Sequence, residues 1–400
     1  PSTRAEPRAS GPGLARVPGR GGVPEGAARL TRSARTADGW ADTSDMTDPS
    51  APHIVVCNVW HDDNRGDGAI AAATLTALAR RWPTARFTVL SLLDARHPAY
   101  ASAYRHLVHA GVAVAVAPHP MPHIDRAGSR REQMVKALRY LGALPGSLLA
   151  LVAPRRFARG SAALPVDADL VVVSGGHSLF CHRLSPPSWA GLHRGVLPLL
   201  LARRAGTPYV LFGHSLGPFD DAGGRWLASR ALRGAQVVTV REELSEAVAS
   251  GLGVPDRALS VRPDVAFSLE PRATGRVDEV LATHALDPGR FWAVTVRRWF
   301  TQDEATQRTE VYLHEMATVI RVALDSGRAE RVAVVAHTTG PVPNEDDRIP
   351  SRRLVELLDD PRVTLVVDDL SPPEMSAFYA NAELLLGTRL HSVILAAVAG

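Results

Sequence analysis

His53-Ile54-Val55-Val56-Cys57, then Asn64-Arg65-Gly66-Asp67-Gly68, then the run from Ala69 to Trp82 form the stretch whose reading decides the fold. The first segment is short, apolar and rich in β-branched residues, which is the character of a strand buried on both faces. The second supplies turn chemistry. The third reads as an apolar-faced helix stopped by Pro83.

The same succession recurs along the chain. Further strands are expected at Arg86 to Ser91, Val112 to Ala117, Ala168 to Ser174, Tyr209 to Phe212 and Val237 to Val240, with helical patterns around Tyr100 to Ala110, Arg131 to Leu141 and Gly224 to Arg233. A second series begins at Phe291, with strands at Trp292 to Val296, Arg331 to Ala336, Val363 to Val367 and Leu384 to Leu386. Its helices are expected at Thr309 to Asp325, Ser351 to Leu358, from Ser371-Pro372-Pro373 onward, and at Ser392 to Val398. Apolar strands alternating with amphipathic helices imply parallel sheets covered on both faces. The fold class is therefore α/β, with two Rossmann-like doubly wound parallel-sheet domains at 51–275 and 285–400, divided in the polar stretch Glu270 to Asp287. The second domain reads as incomplete at its C-terminus. The segment 1–50 is Gly, Pro, Ala, Arg, Ser and Thr without periodic apolar positions, so it is expected to be a disordered tail. Both ends are expected to be incomplete.

Composition limits the function classes. At 400 residues, 46% hydrophobic and 22% charged, the chain can bury a large core. A net charge of +4 tolerates an anionic substrate, but basic residues are interspersed with acidic ones, which gives nucleic acid no sustained binding run. Lys136 is the sole lysine. Cys57 and Cys181 make neither a disulfide framework nor a metal cage, which suits a reducing cytoplasm. No apolar run is read as reaching the roughly 18 residues of a membrane span, so no transmembrane segment is expected, and peripheral contact with a membrane is left open.

In open parallel sheets ligands bind beyond the carboxyl ends of strands, and that rule ranks the candidate residues. Asn64 and Gly66 follow the first strand, where backbone N–H groups at a helix start can receive an anion. Asp67 would repel phosphate there, so it either caps the helix or accepts a substrate hydroxyl. Gly175 and Gly176, with His177 after them, follow the fourth strand and let backbone approach a ligand closely. Ser215 lies in the expected loop His214-Ser215-Leu216-Gly217-Pro218, Arg241-Glu242 ends a later strand, and Arg389 and His391 share one loop of the second domain. That last pair combines a guanidinium fork for phosphate or carboxylate with a group that titrates near neutrality. His119, His123 and Asp125 have metal-like spacing in a Pro-rich loop and are read as an ordinary loop. Ser215 lacks the Gly-x-Ser-x-Gly frame of a hydrolase nucleophile.

Six short blocks in order resemble the polysaccharide pyruvyl transferase family: Asn64 to Ile70, Ser174-Gly175-Gly176, Ser215 to Pro218, Val240 to Ser245, Pro263-Asp264-Val265-Ala266-Phe267, and Thr388-Arg389-Leu390-His391-Ser392. The resemblance implies a fold like the two-domain GT-B glycosyltransferases. It also implies a cytoplasmic transferase that moves a pyruvyl group from phosphoenolpyruvate onto paired sugar hydroxyls as a cyclic ketal, without cofactor or metal. Arg389 and His391 fall on the family's Arg-Leu-His motif, associated with phosphoenolpyruvate, and Arg241 on its Arg-Glu motif. His391 would then be the acid, Arg389 and Arg241 would bind the donor, and Asp67 or Glu242 would take the proton of the attacking hydroxyl. His177 departs from the small or amide residue that many relatives carry after the paired glycines. A nucleotide-sugar glycosyltransferase and a non-catalytic binding protein on the same scaffold are the competing readings.

Overall fold

The structure is a computed structural model that describes residues 51–108, 112–124, 128–182, 185–298, 305–341 and 345–400. The tail expected over 1–50 lies outside those residues, as does Asp125. The first sheet is built from β1 (His53–Val59), β2 (Arg86–Ser91), β3 (Val114–Ala117), β4 (Leu170–Val173), β5 (Gly176–Cys181), β6 (Tyr209–Phe219), β7 (Val237–Val240) and β8 (Leu259–Val261). The second is built from β9 (Phe291–Thr295), β10 (Arg331–Val335), β11 (Val363–Val366) and β12 (Leu384–Gly387).

Every strand pair is parallel. The first sheet runs β3-β2-β1-β4-β6-β7-β8 and the second β11-β10-β9-β12, so the second repeats the order of the first four strands. In each sheet the chain winds out in one direction, returns, and continues on the other side of its first strand. Two topological switch points result, between β1 and β4 and between β9 and β12, and crevices for ligands open beyond the strand ends at such points.

The central strands read as continuous apolar runs because helices cover both faces; Val55, Val56, Val171, Val173, Ala293 and Val334 are all buried. One apolar cluster reaches from Ile54 and Ile70 of the first sheet's half to Val335, Met375 and Leu395 of the second's. The two halves thus share a core, and the helix Arg65–Arg81 packs against the helices Pro372–Ala380 and Leu390–Ala399. Charged groups add to the join: Asp369, beyond β11, accepts Arg65 at 2.7 Å and Arg105 and His106 at 2.8 and 3.0 Å.

Several boundaries depart from the sequence reading. Asn64-Arg65-Gly66-Asp67, expected as a loop, is the cap and first turn of a helix that begins at Arg65, because the Asn64 side chain accepts the N–H groups of Gly66 and Asp67 at 3.1 and 3.4 Å. Asp67 is therefore inside the helix and is not its cap. His214 to Pro218 is also no loop; β6 continues through it because β5, which the sequence reading missed, supplies a partner. Arg389 is a helix N-cap and His391 lies in the first turn of the helix Leu390–Ala399. The helix Pro186–Ala205 was not expected at all, and that expected at Arg131 to Leu141 runs from Arg130 to Val152. By length and composition alone this last helix could cross a membrane, contrary to the expectation of no such run, but Tyr140, Ser147 and Ala150 are buried against the rest of the fold.

Candidate functional site

The loops and helix starts after β1, β4, β7 and β12 meet where the carboxyl ends of the two sheets face one another. Asn64 forms an antiparallel bridge with Thr338, and Thr339 N–H donates to the Asp63 carbonyl at 2.8 Å. The end of β1 is thereby tied to the segment after β10. Asn64 and Arg389, from opposite halves, stand at this same junction, since Asp347 bonds both Arg389 and the backbone N–H of Thr338.

His391 is positioned by its neighbours' shape. A Cβ built on Gly66 would stand 2.5 Å from His391 Nδ1 and 2.6 Å from its Cγ, so the imidazole lies in the space that the missing side chain leaves. Its Nε2 is 3.5 Å from Asp264 Oδ2, in ion-pair range but long for a hydrogen bond. The same Oδ2 accepts Arg241 at 2.6 Å, while Oδ1 accepts the Ala266 N–H at 2.9 Å. Burial would raise the Asp264 carboxyl, yet His391, the Ala266 N–H and Arg241 outweigh it and hold the group down at about 2.

Arg241 is fixed a second time, by donating through Nε to Ser215 Oγ at 2.6 Å. Ser215 donates onward to Glu242 at 3.0 Å, and Ser245 also donates to Glu242. Ser215 is thus a relay that orients Arg241, and Glu242 is engaged by two hydroxyls. Arg389 is held differently, by two close contacts to the buried carboxylate of Asp347, at 2.6 Å from Nη2 and 3.0 Å from Nε, and by the Glu345 carbonyl at 3.0 Å. Burial raises the Asp347 carboxyl against the pull of Arg389.

Asp67 is half-buried, and a Cβ on Gly176 would stand 3.5 Å from its Oδ1. Gly176 has a φ of +109°, which disfavours any side chain. A Cβ on Gly175 would lie 2.9 Å from the Gly213 carbonyl oxygen. The paired glycines therefore keep β4, β6 and Asp67 close together. Burial raises Asp67 above the usual carboxylate range, although His391, Arg241 and Arg389 pull it down. Glu345 is raised as well, by burial first and by the nearby charge of Asp67 second. Two carboxyls readier than usual to hold a proton thus face two arginines and a histidine.

Buried polar atoms without a hydrogen-bond partner gather here: the Nε2 atoms of His61, His337 and His391, Thr338 Oγ1, Arg65 Nε and Glu345 Oε2. Each such group costs about 1–3 kcal/mol when nothing pairs with it. His337 shares this place, since His391, Arg389 and Arg65 all act on it and, after burial, keep it well below the usual range.

The structure brings Asn64, Gly66, Asp67, Gly176, Arg241, Arg389 and His391 together, with Gly175 and Ser215 as supports. His177 takes another position: it is exposed and its Nε2 lies 2.5 Å from the Gly217 carbonyl oxygen. His119 is buried with both ring nitrogens against backbone groups of Met121 and Arg194, so it makes no metal ligand. No cluster of metal-binding groups occurs among the described residues. Asp264 lies within the block Pro263 to Phe267, where the sequence points to no role for it, and Asp347, Glu345 and His337 are not among the candidates that the strand-end rule ranks. The one available signal was Asp346-Asp347 just before a helical pattern, where a helix start favours acidic residues.

A family model described as polysaccharide pyruvyl transferase matches residues 64–400. The amylovoran biosynthesis protein AmsJ of Erwinia amylovora is 25% identical over 202 residues, which are 49% of this chain and 48% of that one. The matched stretch is about half of the length of each. Among solved structures, the UDP-GlcNAc 2-epimerase of Neisseria meningitidis bound to UDP-GlcNAc aligns over 85% of this chain and 78% of its own, at 12% identity and a TM-score of 0.49. Anabaena HepE in complex with UDP and glucose aligns over 84% and 73%, at 13% identity and a TM-score of 0.43.

Proposed function

We propose a pyruvyl transfer at this junction, and the premise is the family: this chain belongs to the polysaccharide pyruvyl transferases. The donor is phosphoenolpyruvate and the acceptor a pair of hydroxyls on a sugar of a glycan or glycoside. The observation that carries the reading is that His391, from the second half, seats against Gly66 and within 3.5 Å of Asp264, which also holds Arg241 of the first half. A titratable acid, an ionised partner and two fixed guanidinium groups are thereby collected at one point.

Each step has a residue suited to it. Protonation of the donor's methylene carbon makes its C2 an oxocarbenium-like centre, and we assign that proton to His391, which lies beside ionised Asp264. Arg389 and Arg241 present N–H donors and positive charge to the carboxylate and phosphate of the donor. A first sugar hydroxyl adds to C2; the second displaces phosphate, so the products are the cyclic ketal and inorganic phosphate. Asp67, raised by burial, is the acceptor for a hydroxyl proton, and Glu242, already bonded to Ser215 and Ser245, serves to orient Arg241. No cofactor or metal enters the scheme. The reaction is assigned to the cytoplasmic side, where phosphoenolpyruvate is made.

Incubating the protein with phosphoenolpyruvate and a panel of glycosides, and measuring phosphate release together with the product's mass, tests the proposal. A ketal product with one phosphate released per ketal is expected. Transfer of a sugar from a nucleotide sugar, or no turnover of phosphoenolpyruvate with any acceptor, would reject it.

A further inference from the structure

The helix Arg130–Val152 has two apolar sides, and only one of them is covered. Tyr140, Ser147 and Ala150 face inward, with the Tyr140 hydroxyl 2.6 Å from His193 Nδ1. On the opposite side Met134, Leu138, Leu141, Leu148 and Val152 are exposed, each by more than half of its surface. Their spacing of three, four and seven keeps them on one stripe. From Met134 to Val152 that stripe runs about 27 Å at 1.5 Å per residue. Solvated helices of soluble proteins carry charge on this side, and a contiguous apolar surface of such length marks a contact.

Charge identifies the contact. Arg130 and Arg131 stand at one end of the stripe and Arg155 and Arg156 just beyond the other, all exposed, although Arg155 also donates to the Ala205 carbonyl of the neighbouring helix at 3.1 Å. Between Gly128 and Val166 there are seven basic residues and one acidic residue, so this segment is more positive than the whole chain, whose net charge is +4. The single acid, Glu132, is engaged by the N–H and hydroxyl of Ser129. A second copy of the chain fits poorly, because either direction of pairing along the stripe sets arginine pairs against arginine pairs. An anionic lipid surface satisfies both features: headgroups meet Arg130 and Arg131 at one end and Arg156 beyond the other, and the acyl boundary meets the stripe between them. The apolar surface also continues inward, since Leu141 lines a groove of about 390 Å³ together with Ile124, Tyr140, Leu144, Trp189 and Leu227.

We propose that the helix Arg130–Val152 docks this protein, lying flat, on a membrane surface that contains anionic lipid. Cations at both ends hold the axis parallel to the surface, and the buried inner side keeps the helix within the fold, so it does not span the bilayer. The docking stands independently of the pyruvyl-transfer reading.

The test is flotation of the full chain with vesicles of phosphatidylcholine alone and of phosphatidylcholine with 30% phosphatidylglycerol. Binding is expected to the second only and to weaken as salt is raised. The pair Leu138→Glu with Leu148→Glu and, separately, the pair Arg130→Glu with Arg131→Glu should each weaken that binding at least tenfold, with melting temperature and turnover in detergent-free solution unchanged. Because these side chains are exposed, melting curves of both variants establish that folding is retained. Equal flotation with neutral vesicles, flotation unaffected by either pair, or retention in the bilayer at alkaline pH as an integral protein would overturn the proposal. So would a dimer in sedimentation that the leucine variant abolishes while no vesicle binds.

Discussion

Two arginines, one from each half of the molecule, follow strands and pair with aspartates at 2.6 Å, yet the two pairs are built for different work. The Arg389–Asp347 pair is closed on itself. Asp347 is 1% exposed at its side chain and takes Arg389 at two positions plus the Thr338 N–H, while burial raises its carboxyl. The Arg241–Asp264 pair is left open on one side, where His391 of the other half approaches, and Asp264 is held down at about 2. The same chemical pair braces the donor-binding Arg389 in one place and makes a charged platform for His391 in the other. The difference lies in whether a third, titratable group can reach the carboxylate. Sequence adjacency shows neither, since Arg389 and Asp347 are 42 positions apart and Arg241 and Asp264 are 23 apart.

Removing the third group should have the largest effect. His391→Ala is expected to lower turnover by about two to four orders of magnitude, the usual cost of a lost general acid, with phosphoenolpyruvate affinity changed much less. Asp264→Asn should lower turnover as well, and the double variant should fall little below His391→Ala alone, because groups that act as a unit are not additive. Single-turnover rates with calorimetric donor affinities measure both. A His391→Ala enzyme with near-parent turnover would leave the open pair without a catalytic purpose.

The brace predicts another outcome. Arg389→Ala strands a buried carboxylate, and breaking a buried pair from one side costs about 3–5 kcal/mol. Denaturant unfolding should show that loss together with weakened donor binding. Adding Asp347→Ala should recover much of the stability and none of the donor affinity, which separates bracing from binding. Arg389→Lys should recover binding only in part, because lysine lacks the planar fork. For Arg241→Ala the order is reversed: a larger fall in turnover than in stability is expected, since Asp264 retains the Ala266 N–H and His391.

Buried imidazoles set the response to acid, in the second half through His337, held well below the usual range, and in the first through several rings. His53 and His214 are lowered to about 4, His61 to about 3 and His193 to about 4, each by burial first, and all four belong to the first sheet's half. Their unfolded pKa is near 6.5, so below that pH the unfolded chain binds more protons than the folded one. Stability is then fully present above pH 6.5 and is lost as pH falls from 6.5 toward 4. For His214 alone the window corresponds to about 3 kcal/mol. Melting temperatures between pH 7 and pH 4.5 should fall steadily, and His214→Gln should flatten part of that slope while starting from a lower value. A pH-independent melting temperature across the window would show that these rings are not buried neutral.

How much of this was legible depended on whether the cause was local. The strands were, because runs such as Val171-Val172-Val173 and Val332-Ala333-Val334-Val335 must be buried on both faces to be stable. The meeting of Asn64, Asp67, Arg241, Arg389 and His391 followed from the rule for strand ends. What failed was set by distant partners. β6 extends through Gly213 and Gly217 because β5 lies beside it, and Pro198 inside the helix Pro186–Ala205 masked that helix's pattern. Glu345 and His337 carry no motif; only the approach of the two sheets gives them a place at the site.

Gly66 offers the smallest and most selective test of the open pair. In sequence it reads as a turn glycine, but it lies in the first turn of a helix with no need for a positive φ, so conformational freedom does not account for it. Space does: an added Cβ would meet three atoms of His391 at 2.5, 2.6 and 2.8 Å, closer than real contacts allow. Alanine favours a helix over glycine by roughly 0.8–1.0 kcal/mol, so the backbone would gain slightly from Gly66→Ala while the imidazole is pushed off Asp264. Turnover is expected to fall about tenfold, in line with a displaced but not deleted acid, with donor affinity nearly unchanged and the melting temperature within a few degrees of the parent. Combined with His391→Ala, the same change should cost nothing further in turnover, because the ring it displaces is gone. An additional tenfold loss in the double variant would mean that Gly66 acts on the donor directly, through its own backbone N–H, and the contact with His391 would then be incidental.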